Sequence, residues 1–171
     1  MPSPLGMNSM PERRIPDFAD FISFRFHGFL MQSNFIYGDI TEKIIGCAMQ
    51  AHSFFGLGFP ELIYKRSLII ELENAGLKCK SEFEKDIFYK DHFIGKRRLD
   101  LIVLDKILVE LKAISEVEKK CYNQVINYLH IFQFEVGLLL NFGAESLQFK
   151  RFVNSIGNSN QRNQNQNLQN P

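Results

Sequence analysis

The sequence predicts an α/β domain built around a mixed β-sheet. Three observations carry that expectation. Two segments of helical apolar spacing come first, a block of alternating and apolar runs follows, and one further helical segment separates that block from a last pair of apolar runs. Asp39-Ile-Thr-Glu42 has the residues of a capping box, and Ile44, Ile45, Ala48, Ala51 and Phe55 recur at helical spacing as far as Gly56. A second helix is expected from Pro60-Glu61, turning Leu68, Ile69 and Leu72 inward and stopping at Gly76. Residues 77–84, 86–90 and 93–104 read as strands, with a turn at Lys90-Asp91, and Ile107 to Ala113 as another. Ser115-Glu-Val-Glu118 should open a helix that runs to about Phe132. Strands at Val136 to Phe142 and Leu147 to Val153 complete the order.

Composition narrows the class. A length of 171 residues is a prior for one domain, or one domain with tails. Lys plus Arg number 20 against 19 Asp plus Glu, which excludes holding nucleic acid by bulk charge. Residues 39–153 carry 16 bases and 16 acids, so any attraction to phosphate there must be local. Three cysteines, at 47, 79 and 121, show no C-x-x-C pair and leave no support for a disulfide framework, a zinc finger or a four-cysteine iron–sulfur cluster. Reduced thiols and a cytoplasmic setting are the expectation. No apolar run is long enough for a transmembrane helix, so no membrane partner is expected.

Three stretches differ in kind. Residues 1–38 hold six of the 17 Phe and read as a loosely packed or poorly ordered extension, with docking on a protein partner as the sharper alternative. Residues 39–153 are the domain. In residues 154–171, 11 of 18 are Asn or Gln, too little apolar surface to offset ordering, and disorder is expected.

The stretch from Arg98 to Lys112 carries the chemistry. Alternation sorts Leu99, Leu101, Val103, Val109 and Leu111 onto one face, and Asp100, Ile102, Leu108, Glu110 and Lys112 onto the other. A two-residue turn at Asp105-Lys106 would put Asp100 and Glu110 on opposite faces. A three-residue turn at Leu104 to Lys106 pairs 103 with 107 and sets Asp100 opposite Glu110, and the buried face should select it. Two facing carboxylates repel unless a cation lies between them, and oxygen-only donors suit Mg²⁺. A lysine beside them can stabilise charge developing on phosphate. On spacing alone the same residues also fit an amphipathic hairpin with a surface ion pair.

Other motifs weigh in. Gly58, Glu61 and Tyr64 sit at a helix start, and Gln124 and Tyr128 lie at i and i+4 of one helix. With Glu42-Lys-Ile-Ile-Gly46, His52, Arg98-Leu-Asp100, Val109-Glu-Leu-Lys112 and Gly137-Leu-Leu-Leu-Asn-Phe-Gly143, residues 39–153 resemble the GxxExxY family of the PD-(D/E)XK nuclease superfamily. The resemblance implies a restriction-endonuclease-like core, a central mixed β-sheet flanked by helices in the order α-β-β-β-α-β, plus an N-terminal helix pair. It also implies a Mg²⁺-dependent nuclease, with Mn²⁺ as a possible substitute, acting on DNA or RNA. Asp100, Glu110 and Glu61 would be its metal-binding acids, with the backbone carbonyl of Leu111 a further ligand. Lys112 would be the motif lysine, and Gln124 and Tyr128 would line the site. His52 falls on a family position too, but a lone helix histidine reads as packing. Leu99 stands where the superfamily has the Pro of its name, and Leu57 and Pro60 alter the lead into Glu61.

Lys96, Arg97 and Arg98 lead into Asp100, and Lys119 and Lys120 into the helix of Gln124. They are candidates to hold phosphates of a nucleic-acid substrate, or are ordinary solvated faces. Tyr89 and Phe93 read as strand packing, with base stacking as the alternative. A module that keeps this core but binds nucleic acid or protein without cleaving is the competing class.

Overall fold

In the computed structural model, residues 36–154 are described; the Phe-rich lead to residue 35 and the Asn/Gln-rich tail from residue 155 lie outside the described residues. Helix α1 (Gly38–Phe55) starts one residue before the expected cap. Tyr37, in a left-handed conformation, is the N-cap and supplies no side-chain cap, so the capping box is not used. Its hydroxyl instead donates to Glu135 Oε2 at 2.7 Å, which anchors the entry to the helix. Asp39 falls inside the first turn, where its charge meets the positive end of the helix. Helix α2 (Glu61–Asn74) ends as expected at Gly76, φ +73°. The Gly76 N–H donates to Glu73 O and the Leu77 N–H to Leu72 O, the paired bonds of a Schellman motif.

Strands β1 (Cys79–Tyr89) and β2 (His92–Val103) form a long hairpin with a two-residue turn at Lys90-Asp91. One continuous β1 replaces the two shorter strands expected, because residues 83–87 pair without a gap with residues 95–99 of β2 and no break falls at Lys85. Strand β3 (Ile107–Lys112), helix α3 (Lys119–Phe132), β4 (Val136–Asn141) and β5 (Gln148–Val153) follow. The sheet order is β1-β2-β3-β4-β5, antiparallel except for β3–β4, whose parallel pairing needs the α3 crossover.

Helix α3 begins at Lys119, four residues after the expected Ser115. The preceding backbone is held elsewhere. Asn141 accepts from the Ile114 N–H at 3.0 Å through Oδ1 and donates to Ile114 O at 2.8 Å through Nδ2. Gly143 completes that clamp, because a Cβ there would stand 2.3 Å from Ile114 N and 2.4 Å from Ile114 O. Gly143→Ala is therefore expected to cost about 2–3 kcal/mol in urea unfolding.

Helices α1 and α2 cover one face of the sheet, packing on Leu101, Val103, Val109, Leu111, Leu138 and Leu140. Helix α3 covers the other, packing on Leu99, Ile102, Leu108 and Leu139. Strand β4 is buried at all six positions, as a central strand covered on both faces must be. Leu99 corrects the alternation read from the sequence, since it joins the α3 side while Leu101 joins the other. The sidedness of β2 reverses around Asp100, opposite the left-handed Glu82. Beyond that point the hairpin projects, because β3 pairs only with residues 101–103 of β2. Tyr89 and Phe93 accordingly stay 64% and 55% exposed and do not pack as strand interior, contrary to the sequence reading.

Candidate active site

The site is built at the fork between β2 and β3. Their ladder pairs Val103 with Ile107, Ile102 with Leu108 and Leu101 with Val109, around a three-residue loop at 104–106. This is the register that buried patterning selects. The next positions, Asp100 and Glu110, lie past the end of the ladder. There Asp100 Oδ2 accepts from the Leu111 N–H at 3.0 Å. A strand N–H points along the sheet, so this carboxylate lies between the strands and does not share a face with Glu110 as alternation implied. The Leu111 carbonyl lies on the same edge of β3 as its N–H.

The two acids are gripped from opposite sides. Asp100 Oδ1 lies 3.7 Å from Lys65 Nζ of α2. Glu110 Oε1 accepts from Lys112 Nζ at 2.7 Å and from Gln124 Nε2 of α3 at 2.6 Å. The second hydrogen of that same amide nitrogen reaches the Tyr128 hydroxyl at 3.1 Å. Gln124 and Tyr128 thus meet at the acid, as their i, i+4 spacing allows.

Electrostatics mark Glu110 out. Burial, then the charge of Asp100, push its carboxyl up to about 7, against the opposing pull of Lys112. Burial and Asp100 also raise the Glu61 carboxyl, while Lys112 and Lys65 oppose the rise. Burial works to lower the Lys112 ammonium, but its bond to Glu110 and the charges of Glu110, Glu61 and Asp100 outweigh that and raise it. Lys112 therefore stays protonated, and three acids and a lysine sense one another across the fork.

Glu61 is the first residue of α2. What places it there is Tyr64, whose buried hydroxyl donates to Gly56 O at 2.6 Å and accepts from the Phe59 N–H at 3.4 Å. The Tyr64 ring stacks on Phe142 at 4.8 Å. Gly58, at φ +95°, supplies the turn between them. The spacing of Gly58, Glu61 and Tyr64 thus fastens a loop that delivers a carboxylate. Tyr64→Phe is expected to lose about 1–2 kcal/mol of stability in chemical denaturation, from the unpaired Gly56 carbonyl. His52 is buried, with Nε2 3.0 Å from Ala144 O.

Two participants escaped the sequence reading. Lys65 is 7% exposed and bridges Asp100 to Glu82 Oε1, the latter at 3.0 Å. Its signal was present in the pattern, since positions 61, 65, 68 and 72 form one stripe of α2 and two of them are core leucines. Glu82 had no local signal. The candidate phosphate contacts lie on the surface: Lys96 pairs with Glu84 and Asp86, Arg98 with Glu82 and Lys120 with Glu118, while Arg97 and Lys119 are exposed.

Among the described residues no group of three or more His, Cys, Asp or Glu side chains stands ready to hold a metal ion. The donor set nevertheless fits a hard cation. Its members are oxygens, partly desolvated and mutually repelling, and the charge that now balances them comes from Lys65 and Lys112.

A mixed five-stranded sheet between helices, with acid, acid and lysine at a splayed β-fork, defines a restriction-endonuclease-like fold. Residues 38–152 match the family model of the PD-(D/E)XK nuclease superfamily, and the chain belongs to that superfamily. Among solved structures, one described as "Crystal structure of SSO0001" is similar at 18% identity, with a TM-score of 0.41 over 78% of this chain and 69% of that one. At that identity and score the likeness carries nothing about function. No curated protein matches the chain. The three cysteines form no disulfide, and among the described residues no helix is long and apolar enough to cross a membrane.

Proposed function

We propose that the protein is a divalent-metal-dependent phosphodiester hydrolase of the GxxExxY type, cutting DNA or RNA in a reducing, cytoplasmic setting. The observation that carries this reading is Glu110: a nearly buried carboxylate at a strand fork, held by a lysine and a glutamine and repelled by two further acids. Such an arrangement costs stability and serves no packing purpose.

Asp100, Glu110 and Glu61, with the Leu111 carbonyl, would hold Mg²⁺ or Mn²⁺. Bound there, the cation supplies Lewis-acid charge to the phosphoryl oxygen and activates the attacking water. Lys112, kept protonated by its neighbours, stabilises the negative charge that gathers on phosphate during attack. Gln124 fixes the Glu110 rotamer, and Tyr128 fixes the Gln124 amide. Lys96, Arg97, Arg98, Lys119 and Lys120 supply local positive charge to an otherwise neutral domain, and the Phe-rich lead is the segment that would recruit a protein partner.

Gln124→Leu removes a donor from the Glu110 carboxylate, so its pKa rises further. The acidic limb of the pH–rate profile should move to higher pH, with cleavage down about tenfold at neutral pH. Purified protein incubated with single- and double-stranded DNA and RNA should cleave at least one of them with Mg²⁺ or Mn²⁺ and stop on chelation. Cleavage that survives chelation contradicts the reading. The closed bonds at Glu110 favour a second reading, a non-cleaving binding module. Binding without cleavage under every metal would establish that one.

A further inference from the structure

Lys65 is a buried charge that the hydrolytic reading leaves without a task. It lies on the stripe of α2 that turns Leu68 and Leu72 into the core. An apolar residue there would avoid the desolvation of an ammonium, so packing alone does not account for it. Its surroundings are unfavourable as well. Glu82 falls between the ladder pairs Ser81–Leu101 and Phe83–Leu99, which sets it opposite Asp100 on the neighbouring strand. Like charges directly opposed across a ladder repel. Glu82 also holds φ at +53°, a left-handed conformation that strains a glutamate.

Lys65 Nζ meets both acids, Glu82 Oε1 at 3.0 Å and Asp100 Oδ1 at 3.7 Å. The buried lysine, the opposed acids and the strained backbone are thus one arrangement, and what it achieves is a positive charge fixed beside Asp100. The other Asp100 oxygen, Oδ2, accepts from the Leu111 N–H at the fork. One carboxylate therefore turns one oxygen to the fork and the other to an ammonium. In two-metal phosphodiester hydrolysis the cations stand about 3.5–4 Å apart, a spacing that a single carboxylate spans with its two oxygens. Formal charge agrees with a single cation here. The carboxylates of Asp100, Glu110, Glu61 and Glu82 exceed the ammoniums of Lys65 and Lys112 by two charges, which one divalent ion cancels.

We infer that Lys65 is a positioning residue that takes the place of a second metal ion: its ammonium, held by Glu82 against Asp100, confines the fork to one divalent cation. The inference rests on the reading of the fork as a cation site and deepens it by fixing the number of cations at one. Glu82 is part of the device, because it holds the ammonium beside Asp100 and on the α2 side, away from the Lys112 and Gln124 that grip Glu110.

The test counts Mn²⁺ bound to the full chain by electron paramagnetic resonance without substrate, taking as fork sites those that Asp100→Asn loses. Methionine follows the lysine stem but ends one heavy atom short, so Lys65→Met opens the space of the ammonium and leaves both acids in place. Wild type should hold one Mn²⁺ at the fork, and Lys65→Met two, with spectral broadening from the neighbouring ions. Lys65→Arg keeps the charge and should stay at one. A lysine that only braces the fold would lower binding when replaced and would not add an ion. Lys65→Gln, whose amide can still donate to Glu82, should also take two ions, and it decides the matter where circular dichroism shows the methionine variant unfolded. Two ions in wild type, one ion in the folded neutral variants, or two in Lys65→Arg would overturn the inference while leaving the nuclease reading. No Mn²⁺ at the wild-type fork would overturn both. One ion in wild type and two in Lys65→Met, with no nucleic acid cleaved under any metal, would leave the role of Lys65 and remove the nuclease.

Discussion

Glu110→Gln should reduce metal-dependent cleavage by more than about a hundredfold, because even the groups that merely orient a metal ligand are worth ten to a hundredfold. The fold should survive. A glutamine Oε1 still accepts from Lys112 and Gln124, the two donors that now meet at Glu110 Oε1. What is lost is the negative charge, and with it one of the groups that would hold the cation. Circular dichroism and urea unfolding separate this outcome from trivial misfolding. Cleavage within a few-fold of wild type, at equal protein and metal, would remove Glu110 from the chemistry.

The second large effect is on stability, and its sign follows from the same residue. Burial and the Asp100 charge hold the Glu110 carboxyl at about 7, against an ordinary value of 4.5. Between those two values the folded chain binds a proton that the unfolded chain has lost, so stability falls as pH rises through that window. The contribution is fully present below about pH 4.5 and gone above about pH 7. In chelating buffer, wild type should lose about 2–3 kcal/mol from pH 5 to pH 8 relative to Glu110→Gln. Glu61, raised in the same direction, adds to the slope in both proteins. Parallel pH profiles for the two would mean that Glu110 is not the strained group.

The fold and the site were legible in the sequence to different depths. The three-residue β2–β3 loop was readable because a one-residue slip would have exposed Leu101, Val103 and Val109, which are now fully buried. Gly76 was readable because few other residues take a left-handed end of helix at no cost. The starts of α1 and α3 were not. They are set by tertiary bonds, from Tyr37 to Glu135 and from Asn141 to Ile114, that no local pattern records. The nearness of Asp100 to Glu110 was readable, but not the orientation of the two carboxylates. Alternation put Asp100 on a sheet face, whereas Glu82, a residue with no local preference for φ > 0, marks the point where β2 reverses its sides and Asp100 turns into the fork. Lys65 was hidden for a related reason. A lysine on a core stripe reads as an irregularity until the carboxylate it neutralises is placed beside it. Tyr89 and Phe93 read as interior because their composition is strand-like, but β3 is too short to cover them.

Asp100 and Glu110, approached from opposite sides of the sheet, are proposed to make one cation site at the β2–β3 fork. Mn²⁺ titration followed by electron paramagnetic resonance tests it without substrate or activity. Wild type should bind Mn²⁺ at the fork, displaceable by Mg²⁺, and Asp100→Asn and Glu110→Gln should each abolish that binding while the protein stays folded. Unchanged Mn²⁺ binding in both variants would contradict the account.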